Sequence, residues 1–102
     1  MICKTAFGTY EVTAFKTQYR NNNSLAVQLL DEDGSPFGML TVNLPETREL
    51  KDNEQFVDVN NCPWAPEFIR GNALGEPTGR MGQSGFCSYP LYAFDLNKLK
   101  AN

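Results

Sequence analysis

The residue types that usually carry out catalysis are thinly represented in this chain. Its 102 residues include no histidine, the side chain whose pKa suits proton transfer near pH 7. A Ser-His-Asp triad, a Cys-His pair and an imidazole metal ligand are therefore all excluded. Acid–base catalysis would need a carboxylate, lysine, cysteine or tyrosine with a strongly shifted pKa. The composition therefore predicts that the protein is not an enzyme.

The cysteines are too far apart in the sequence to suggest a metal site. Zinc sites built from cysteine use close pairs such as Cys-x-x-Cys, whereas these thiols stand at Cys3, Cys62 and Cys87. We predict no metal and no cofactor, and we expect the thiols to act as small apolar groups. Their odd number, with no apolar leader-like stretch among the first residues, predicts a cytoplasmic location. The apolar runs are too short to span a bilayer, so no membrane contact is expected.

A glycine-rich segment with one arginine is the first candidate binding surface. Four glycines fall within residues 75–85, where glycine would let the backbone approach a ligand and would let successive N–H groups bind an anion. An arginine there could add a bidentate contact to phosphate or carboxylate. The predicted ligand site comprises Gly79, Arg80, Gly82, Gln83, Ser84 and Gly85. The segment lacks the Gly-Lys-Ser/Thr ending of a P-loop, and a plain connecting loop is the alternative.

The second candidate surface is acidic. Residues 31–58 contain eight acidic and two basic side chains, a balance of −6, whereas the remainder of the chain has a balance of +3. Such a segment could face a basic partner surface, or it could simply form solvated loops. The predicted partner-binding residues are Asp31, Glu32, Asp33, Glu46, Glu49, Asp52 and Glu54. Direct nucleic-acid binding is not expected, because the net charge is −3 and no basic footprint stands out.

Two smaller groups have competing interpretations. Asp58, Asn60 and Asn61 could offer oxygen ligands to a hard cation, but their spacing is not that of a calcium loop and better suits a turn that caps a helix. The aromatic residues Phe86, Tyr89, Tyr92 and Phe94 could stack on bases, or they could pack in the core with the tyrosine hydroxyls reaching the surface, as such residues commonly do.

The first half of the chain is predicted to form strands that position these groups. Segments 10–19, 25–30 and 37–44 are rich in β-branched, aromatic and aliphatic residues. Polar turns at 21–24 and at 31–36, the latter centred on Asp-Gly, separate them. Residues 9–44 therefore read as an antiparallel meander with one buried face.

The second half is predicted to add a strand at 55–59, a helix at 65–72, a loop at 79–85, a strand at 91–95 and a helical turn at 96–101. Early proline and a closing glycine mark the helix, and Trp64, Phe68 and Ile69 share one side of it. The predicted fold class is a single α+β domain spanning 1–102. We expect an antiparallel sheet of about four to six strands with one short helix packed on one face. The predicted core comprises Val12, Ala14, Leu25, Val27, Leu29, Leu40, Val42, Leu44, Phe56, Val57, Trp64, Phe68, Ile69, Tyr92 and Phe94.

Four segments resemble a known family. They are LAVQL at 25–29, LTVNLP at 40–45, FVDVNNCP at 56–63 and SGFCSYPLY at 84–92. Together they resemble bacterial proteins of about one hundred residues and unknown function, which are frequent in gut Firmicutes and on their plasmids, integrative elements and phages. The resemblance implies mobile-element cargo, a class that includes anti-CRISPR and anti-restriction inhibitors. It supplies no catalytic residues.

These observations lead to two expected functions. The first is a non-enzymatic inhibitor that binds a protein partner, such as a CRISPR effector or another host defence nuclease, through its acidic surface. The alternative is a protein that binds or sequesters a small anion or nucleotide through residues 79–85.

Overall fold

Short strands dominate the structure, as the many β-branched and aromatic residues favour. The computed structural model describes residues 1–44 and 49–101, and within them it contains ten strands and one α-helix. In chain order these elements are β1 (Ile2–Thr5), β2 (Gly8–Glu11), β3 (Thr13–Gln18), β4 (Leu25–Leu30), β5 (Pro36–Met39), β6 (Thr41–Val42), β7 (Glu54–Val57), α1 (Ala65–Gly71), β8 (Gly75–Ser84), β9 (Cys87–Phe94) and β10 (Lys100–Ala101). A 3₁₀ turn at Leu96–Lys98 precedes β10.

The strands form three sheets. Strands β1 and β2 make an antiparallel hairpin with a two-residue turn, since Thr5 pairs with Gly8. The N-terminal sheet has the order β10-β3-β4-β5, and only its β10–β3 pair is parallel. The C-terminal sheet has the order β6-β7-β9-β8 and is antiparallel throughout. The predicted α+β class with antiparallel pairing is therefore confirmed, whereas the single sheet is wrong.

Leu40 is the point where the chain passes from one four-stranded sheet to the other. Its backbone N–H donates to the Val27 carbonyl at 2.9 Å, and its own carbonyl accepts from the Asp58 N–H at 2.9 Å. The predicted strand 37–44 is consequently two strands, β5 and β6, in different sheets. The β3–β4–β5 part of the predicted meander is present, and its turns at 21–24 and 31–36 are confirmed.

A buried glutamine also joins the two sheets. Gln55 on β7 has no exposed surface, and its amide nitrogen donates to the Leu25 carbonyl at 2.8 Å and to the Ser24 hydroxyl at 3.1 Å. Its side-chain oxygen accepts from the Phe56 N–H at 2.9 Å. All its hydrogen-bonding groups are thus engaged at the junction, which offsets the cost of burying an amide.

The helix packs through one apolar side, as its sequence predicts. Ala65, Phe68 and Ile69 are buried, while α1 contacts β1 and the beginning of β8. The Asn72 side-chain amide ends the helix by donating to the Phe68 carbonyl at 3.0 Å and to the Ile2 carbonyl at 3.1 Å. Helix 65–72 is therefore confirmed to within one residue.

The core is largely the predicted one, with two exceptions. Val42 and Trp64 are only half-buried, whereas the other thirteen predicted core residues are buried. Leu74, Leu91 and Leu99 are buried residues that the sequence reasoning missed. The burial of Cys3, Cys62 and Tyr89 agrees with the apolar and packing roles expected for them. Among the described residues no helix is long and apolar enough to cross a membrane.

Candidate functional site

The predicted acidic residues do not form one cluster, because Asp31–Asp33 and Asp52 lie near opposite ends of β4. Residues 31–33 form the turn after β4, whereas Asp52 lines a cavity with Ser24 and Leu25 at the opposite end of that strand. Leu25 and Leu30 are the two ends of β4 and are five residues apart, which corresponds to about 17 Å along the strand. The Asp31–Asp33 turn and Asp52 are therefore separated by roughly the length of β4. Glu49 lies near Asp52 in the chain and is exposed. Glu46 falls outside the described residues.

Several of these acidic side chains have local structural partners. The Asp31 carboxylate accepts the backbone N–H groups of Asp33 at 2.9 Å and Ser35 at 3.0 Å, which fixes the β4–β5 turn. The Glu54 carboxylate accepts the Lys51 N–H at 3.0 Å. Turn stabilisation therefore accounts for Asp31 and Glu54, whereas Glu32 and Asp33 are exposed.

The glycine-rich segment is a strand rather than a loop. Residues 79–84 belong to β8, and Met81 to Ser84 pair in register with β9. Gly82 is buried there, and a Cβ at that position would lie 2.7 Å from both the Leu44 and the Phe56 side chains. The backbone of this stretch is therefore used in a sheet, and Gly82 is explained by packing.

Arg80 lies in a bulge of β8. Pro77 pairs with Tyr92 and Met81 with Pro90, so three residues of β8 stand opposite one of β9. The Thr78 hydroxyl donates to the Leu91 carbonyl at 3.1 Å and accepts the Arg80 N–H at 3.2 Å, while Gly79 has a φ of +92°.

At the other end of the predicted site, Gly85 is the first residue of the two-residue turn between β8 and β9, with a φ of +62° that suits glycine. Gln83 and Ser84 precede it as exposed residues of β8. The six predicted ligand residues therefore extend along a strand and its turn, so the predicted loop at 79–85 is wrong, while ligand binding by these residues stays a prediction.

The main candidate site is an aromatic groove that the sequence reasoning missed. It measures about 740 Å³ and lies between the β1–β2 hairpin, β5 and the loop before α1. Its lining contains one charged side chain among the described residues, and this is Asp58. The name aromatic groove is used below for this surface, which is lined by Thr5, Ala6, Phe7, Tyr10, Phe37, Gly38, Met39, Asp58, Asn61, Cys62, Pro63 and Trp64.

A chain of aromatic rings forms the wall of the groove. The ring centroids of Tyr10 and Phe37 are 5.2 Å apart, and those of Phe37 and Trp64 are 5.9 Å apart and edge-on. Trp64 also meets Phe68 edge-on at 5.9 Å, which ties the surface rings to the core. These separations are those of favourable aromatic pairs, so the rings are held in place by one another.

Asp58 is oriented by the turn that follows β7. Its carboxylate accepts the Asn61 backbone N–H at 3.2 Å and the Asn61 side-chain amide at 2.9 Å. The turn expected for the Asp58 group is thus present, whereas the helix cap is wrong, because α1 has Trp64 at its N-cap and no side-chain hydrogen bond there. Asp58 also lines the groove. The Asp31–Asp33 turn leads directly into β5, so carboxylates stand near both ends of this strand.

Phe7 is the most exposed aromatic residue of the groove. It occupies the second position of the β1–β2 turn and is 91% exposed. Phe86 occupies the same position of the β8–β9 turn and is also fully exposed, but it lies outside this groove. In the sequence, each phenylalanine has a glycine as its immediate neighbour, Gly8 after Phe7 and Gly85 before Phe86. This was the available sequence signal for both positions.

The two buried thiols, Cys3 and Cys62, are not activated as nucleophiles. Burial, together with the neighbouring Cys62, raises the pKa of Cys3 to about 11. Burial and the charge of Asp58 raise the pKa of Cys62 to about 11. Both thiols are therefore protonated near neutral pH, and Cys62 instead donates weakly to the Met39 carbonyl, with a sulfur–oxygen distance of 3.6 Å. Cys87, the thiol beside the predicted loop, is half-buried on β9.

Comparison with known proteins gives a family and no function. The model of a domain of unknown function, DUF4313, matches residues 11–102, which agrees with the resemblance to an uncharacterised family of about one hundred residues. Neither the curated proteins nor the solved structures provide a match. This protein therefore belongs to the DUF4313 family.

Proposed function

We propose that this protein acts by binding a protein partner through the aromatic groove, without catalysing a reaction. The observation that carries the proposal is the position of Phe7, whose ring is 91% exposed at the rim of a concave surface lined by Tyr10, Phe37 and Trp64. Exposing an apolar ring to water opposes folding and solubility. Aromatic residues in pockets are, in contrast, the usual anchors of protein interfaces.

The charge of the molecule supports a basic partner. Asp58 supplies the charge inside the aromatic groove, Glu32 and Asp33 are exposed at the turn before β5, and the chain carries a net charge of −3. The more distant Glu49 and Asp52 would act through the long-range field, which raises the association rate rather than forming contacts.

The partner that we propose is a host defence nuclease, such as a CRISPR effector. Such enzymes hold nucleic acid in a positively charged channel, and an acidic protein can occupy that channel in its place. The resemblance to proteins carried by mobile elements of gut Firmicutes supports this choice of partner. The proposed role is therefore inhibition by occupancy.

The test uses purified nucleases and a matched pair of variants. The protein would be mixed with guide-loaded CRISPR effectors and with restriction endonucleases, and complex formation and DNA cleavage would be measured. Phe7→Ser should weaken binding by at least about tenfold, as loss of an interface anchor does. Phe86→Ser removes an equally exposed ring from an equivalent turn elsewhere and should leave binding unchanged.

Two results would refute the proposal. One is the absence of both binding and inhibition across the nuclease panel. The other is an equal loss of binding in the Phe7 and Phe86 variants, which would show that general hydrophobicity, and not the aromatic groove, holds the partner. Salt provides a further check, because an association steered by charge slows as salt screens it.

A further inference from the structure

A second cavity, lined mainly by polar side chains, lies beside the turn between β3 and β4, and it shares no lining residue with the aromatic groove. Its volume is about 600 Å³, which is within the range of small-molecule sites. Backbone hydrogen bonds close the turn that forms one wall, from the Tyr19 N–H to the Ser24 carbonyl at 2.9 Å and from the Asn23 N–H to the Tyr19 carbonyl at 2.8 Å. The name polar cavity is used below for this space, whose charged and amide-bearing lining residues are Lys16, Gln18, Asn22, Asn23, Lys51 and Asp52.

Lys16 stands on the face of β3 that elsewhere packs in the core. Ala14, two residues earlier and so on the same face, is buried, and Val27, opposite Lys16 on β4, is buried as well. The Lys16 side chain is half-buried, and its ammonium group makes a long hydrogen bond of 3.5 Å to the Leu96 carbonyl. A charge that leaves bulk water needs an opposite charge or several hydrogen bonds. The Lys16 ammonium, with three donors, therefore retains capacity for a ligand.

The cations around the polar cavity have no carboxylate partner among the described residues. Within residues 1–44 and 49–101 the ion pair that the structure contains joins the N-terminal ammonium to Glu11. An adjoining depression of about 420 Å³ shares Lys16 with the polar cavity and adds Arg20. The two spaces together are lined by Lys16, Arg20, Lys51 and Asp52, a balance of +2 in a chain whose net charge is −3. This local charge favours an anion that carries two negative charges.

The other polar groups indicate the body that such an anion would carry. The side-chain amides of Gln18 and Asn23 can donate to and accept from hydroxyl groups. The Asp52 carboxylate accepts hydrogen bonds from hydroxyl groups and repels an anionic group. The anionic end of the ligand is therefore expected at Lys16, on the side that Arg20 shares, and the hydroxyl-bearing body beside Asp52.

We propose that the polar cavity binds a small phosphate monoester with a hydroxylated body, of the class to which sugar phosphates and nucleoside monophosphates belong. A phosphate monoester carries about −1.5 to −2 charges at pH 7, which matches the lining, whereas a carboxylate carries a single charge. The inference does not rest on the proposed function, because it concerns another surface and another class of ligand. It also differs from the ligand site expected at 79–85, because none of those residues lines the polar cavity.

Isothermal titration calorimetry on the full chain tests the inference with four probes. These are adenosine monophosphate, ribose 5-phosphate, inorganic phosphate and uncharged ribose. We expect saturable binding of at least one of the two organic phosphates, with inorganic phosphate and ribose weaker by at least about tenfold. Binding of only one organic phosphate would support the inference and identify the body as a nucleoside or a sugar. In an NMR titration, the amide signals that move should belong to residues 16–25 and 50–52, whereas those of Phe37 and Trp64 in the aromatic groove should not move.

Two lysine variants and a matched control distinguish a site from general charge. Lys16→Met keeps an aliphatic stem and removes the charge, so affinity should fall by roughly ten- to hundredfold. Lys51→Met removes a second lining cation from an exposed position and should also weaken binding. Lys98→Met removes an exposed cation that lines neither space, and affinity should stay within about twofold of the wild type at physiological salt.

Three results would overturn the inference. The first is the absence of saturable binding of either organic phosphate at millimolar concentration. The second is unchanged affinity in the cavity variants, or an equal loss in Lys98→Met, which would show that any lysine attracts the anion. The third is binding of inorganic phosphate as tight as that of the organic phosphates, which would show that the cavity does not recognise the body. If Lys16→Met does not fold, Lys51→Met decides the second result.

Discussion

Replacing Gly82 by alanine tests whether the glycine-rich segment is built for packing or for a ligand. Gly82 is the buried residue of β8, opposite Tyr89 on β9. An added Cβ would lie 2.7 Å from Leu44 Cδ1 and 2.7 Å from Phe56 Cε1, closer than any ordinary carbon–carbon contact. Phe56 is 1% exposed and Leu44 is 3% exposed, so neither side chain has free space into which it can move.

The expected cost follows from two opposing effects. Overpacking a tight core by one carbon destabilises proteins by about 1–3 kcal/mol. Alanine in a strand interior stabilises the fold by about 0.5–1 kcal/mol relative to glycine, because an alanine loses less conformational entropy on folding than a glycine does. We therefore expect Gly82→Ala to lower the free energy of unfolding by about 1–2 kcal/mol. For a domain of this size, each kcal/mol lowers the melting temperature by about 4–8 °C.

Urea denaturation followed by tryptophan fluorescence measures the change, and Gly38→Ala is the matched control. Gly38 is also a strand glycine, but a Cβ there would meet nothing within 4 Å. Its replacement should change stability by less than about 0.5 kcal/mol. A Gly82→Ala protein as stable as the wild type would refute the packing argument, as would an equal loss in both variants. A loss of nucleotide affinity without destabilisation would restore the ligand interpretation.

Three further predictions concern the stability of other parts of the fold. Trp64→Ala should lower the free energy of unfolding by about 2–3 kcal/mol, measured by denaturant titration with circular dichroism. This is less than the roughly 3–5 kcal/mol lost with a fully buried aromatic residue, because Trp64 is half-buried. An unchanged denaturation midpoint would contradict this prediction. Gln55→Leu should cost about 1–3 kcal/mol because it leaves buried partners unpaired, whereas the exposed Gln83→Leu should cost less than about 0.5 kcal/mol. The folded-state pKa of Cys3 and of Cys62 is about 11, above the ordinary value of 9.0, so the folded chain retains protons that the unfolded chain has lost. Unfolding free energy should therefore be steady below pH 9 and fall by up to about 1.4 kcal/mol per pH unit and thiol between pH 9 and 11, a slope that a Cys3→Ala, Cys62→Ala double variant should lack.

Local signals were sufficient where neighbours in the sequence determine the structure. The helix at Ala65–Gly71 follows from Pro66 in its first turn and from the spacing of Phe68 and Ile69, all within a few residues. The Asp31 turn likewise depends on hydrogen bonds that span at most four residues. Such elements can be predicted because the groups that stabilise them lie in the same short window.

Long-range contacts explain the errors. Whether residues 37–44 form one strand depends on Val27 and Asp58, which hydrogen-bond to the N–H and to the carbonyl of Leu40, respectively. The neighbouring glycines predict a loop at Gly82, whereas in the structure Gly82 lies in a strand and the Phe56 side chain occupies the space beside it. Alternation of apolar residues predicts the buried face of a strand, but it cannot indicate which sheet the strand joins.

The aromatic groove was missed for the same reason, because its rings come from three separate parts of the chain. Tyr10 precedes Phe37 by 27 residues in the sequence, and Phe37 precedes Trp64 by a further 27. Each of these residues alone resembles an ordinary core residue. Only folding reveals that their edges remain open to a concave surface.

Phe7 and Phe86 show why exposure alone does not define a binding site. Both rings follow a small residue in a two-residue turn, and both are almost fully exposed, so sequence and exposure rank them equally. Their surroundings differ, because Phe7 lines a groove together with three other aromatic residues and Asp58, whereas Phe86 lies outside it. Partners gain affinity from several adjacent contacts that exclude water together, and an isolated ring offers only one. We therefore propose the groove, rather than the turn at Phe86, as the surface that binds the partner.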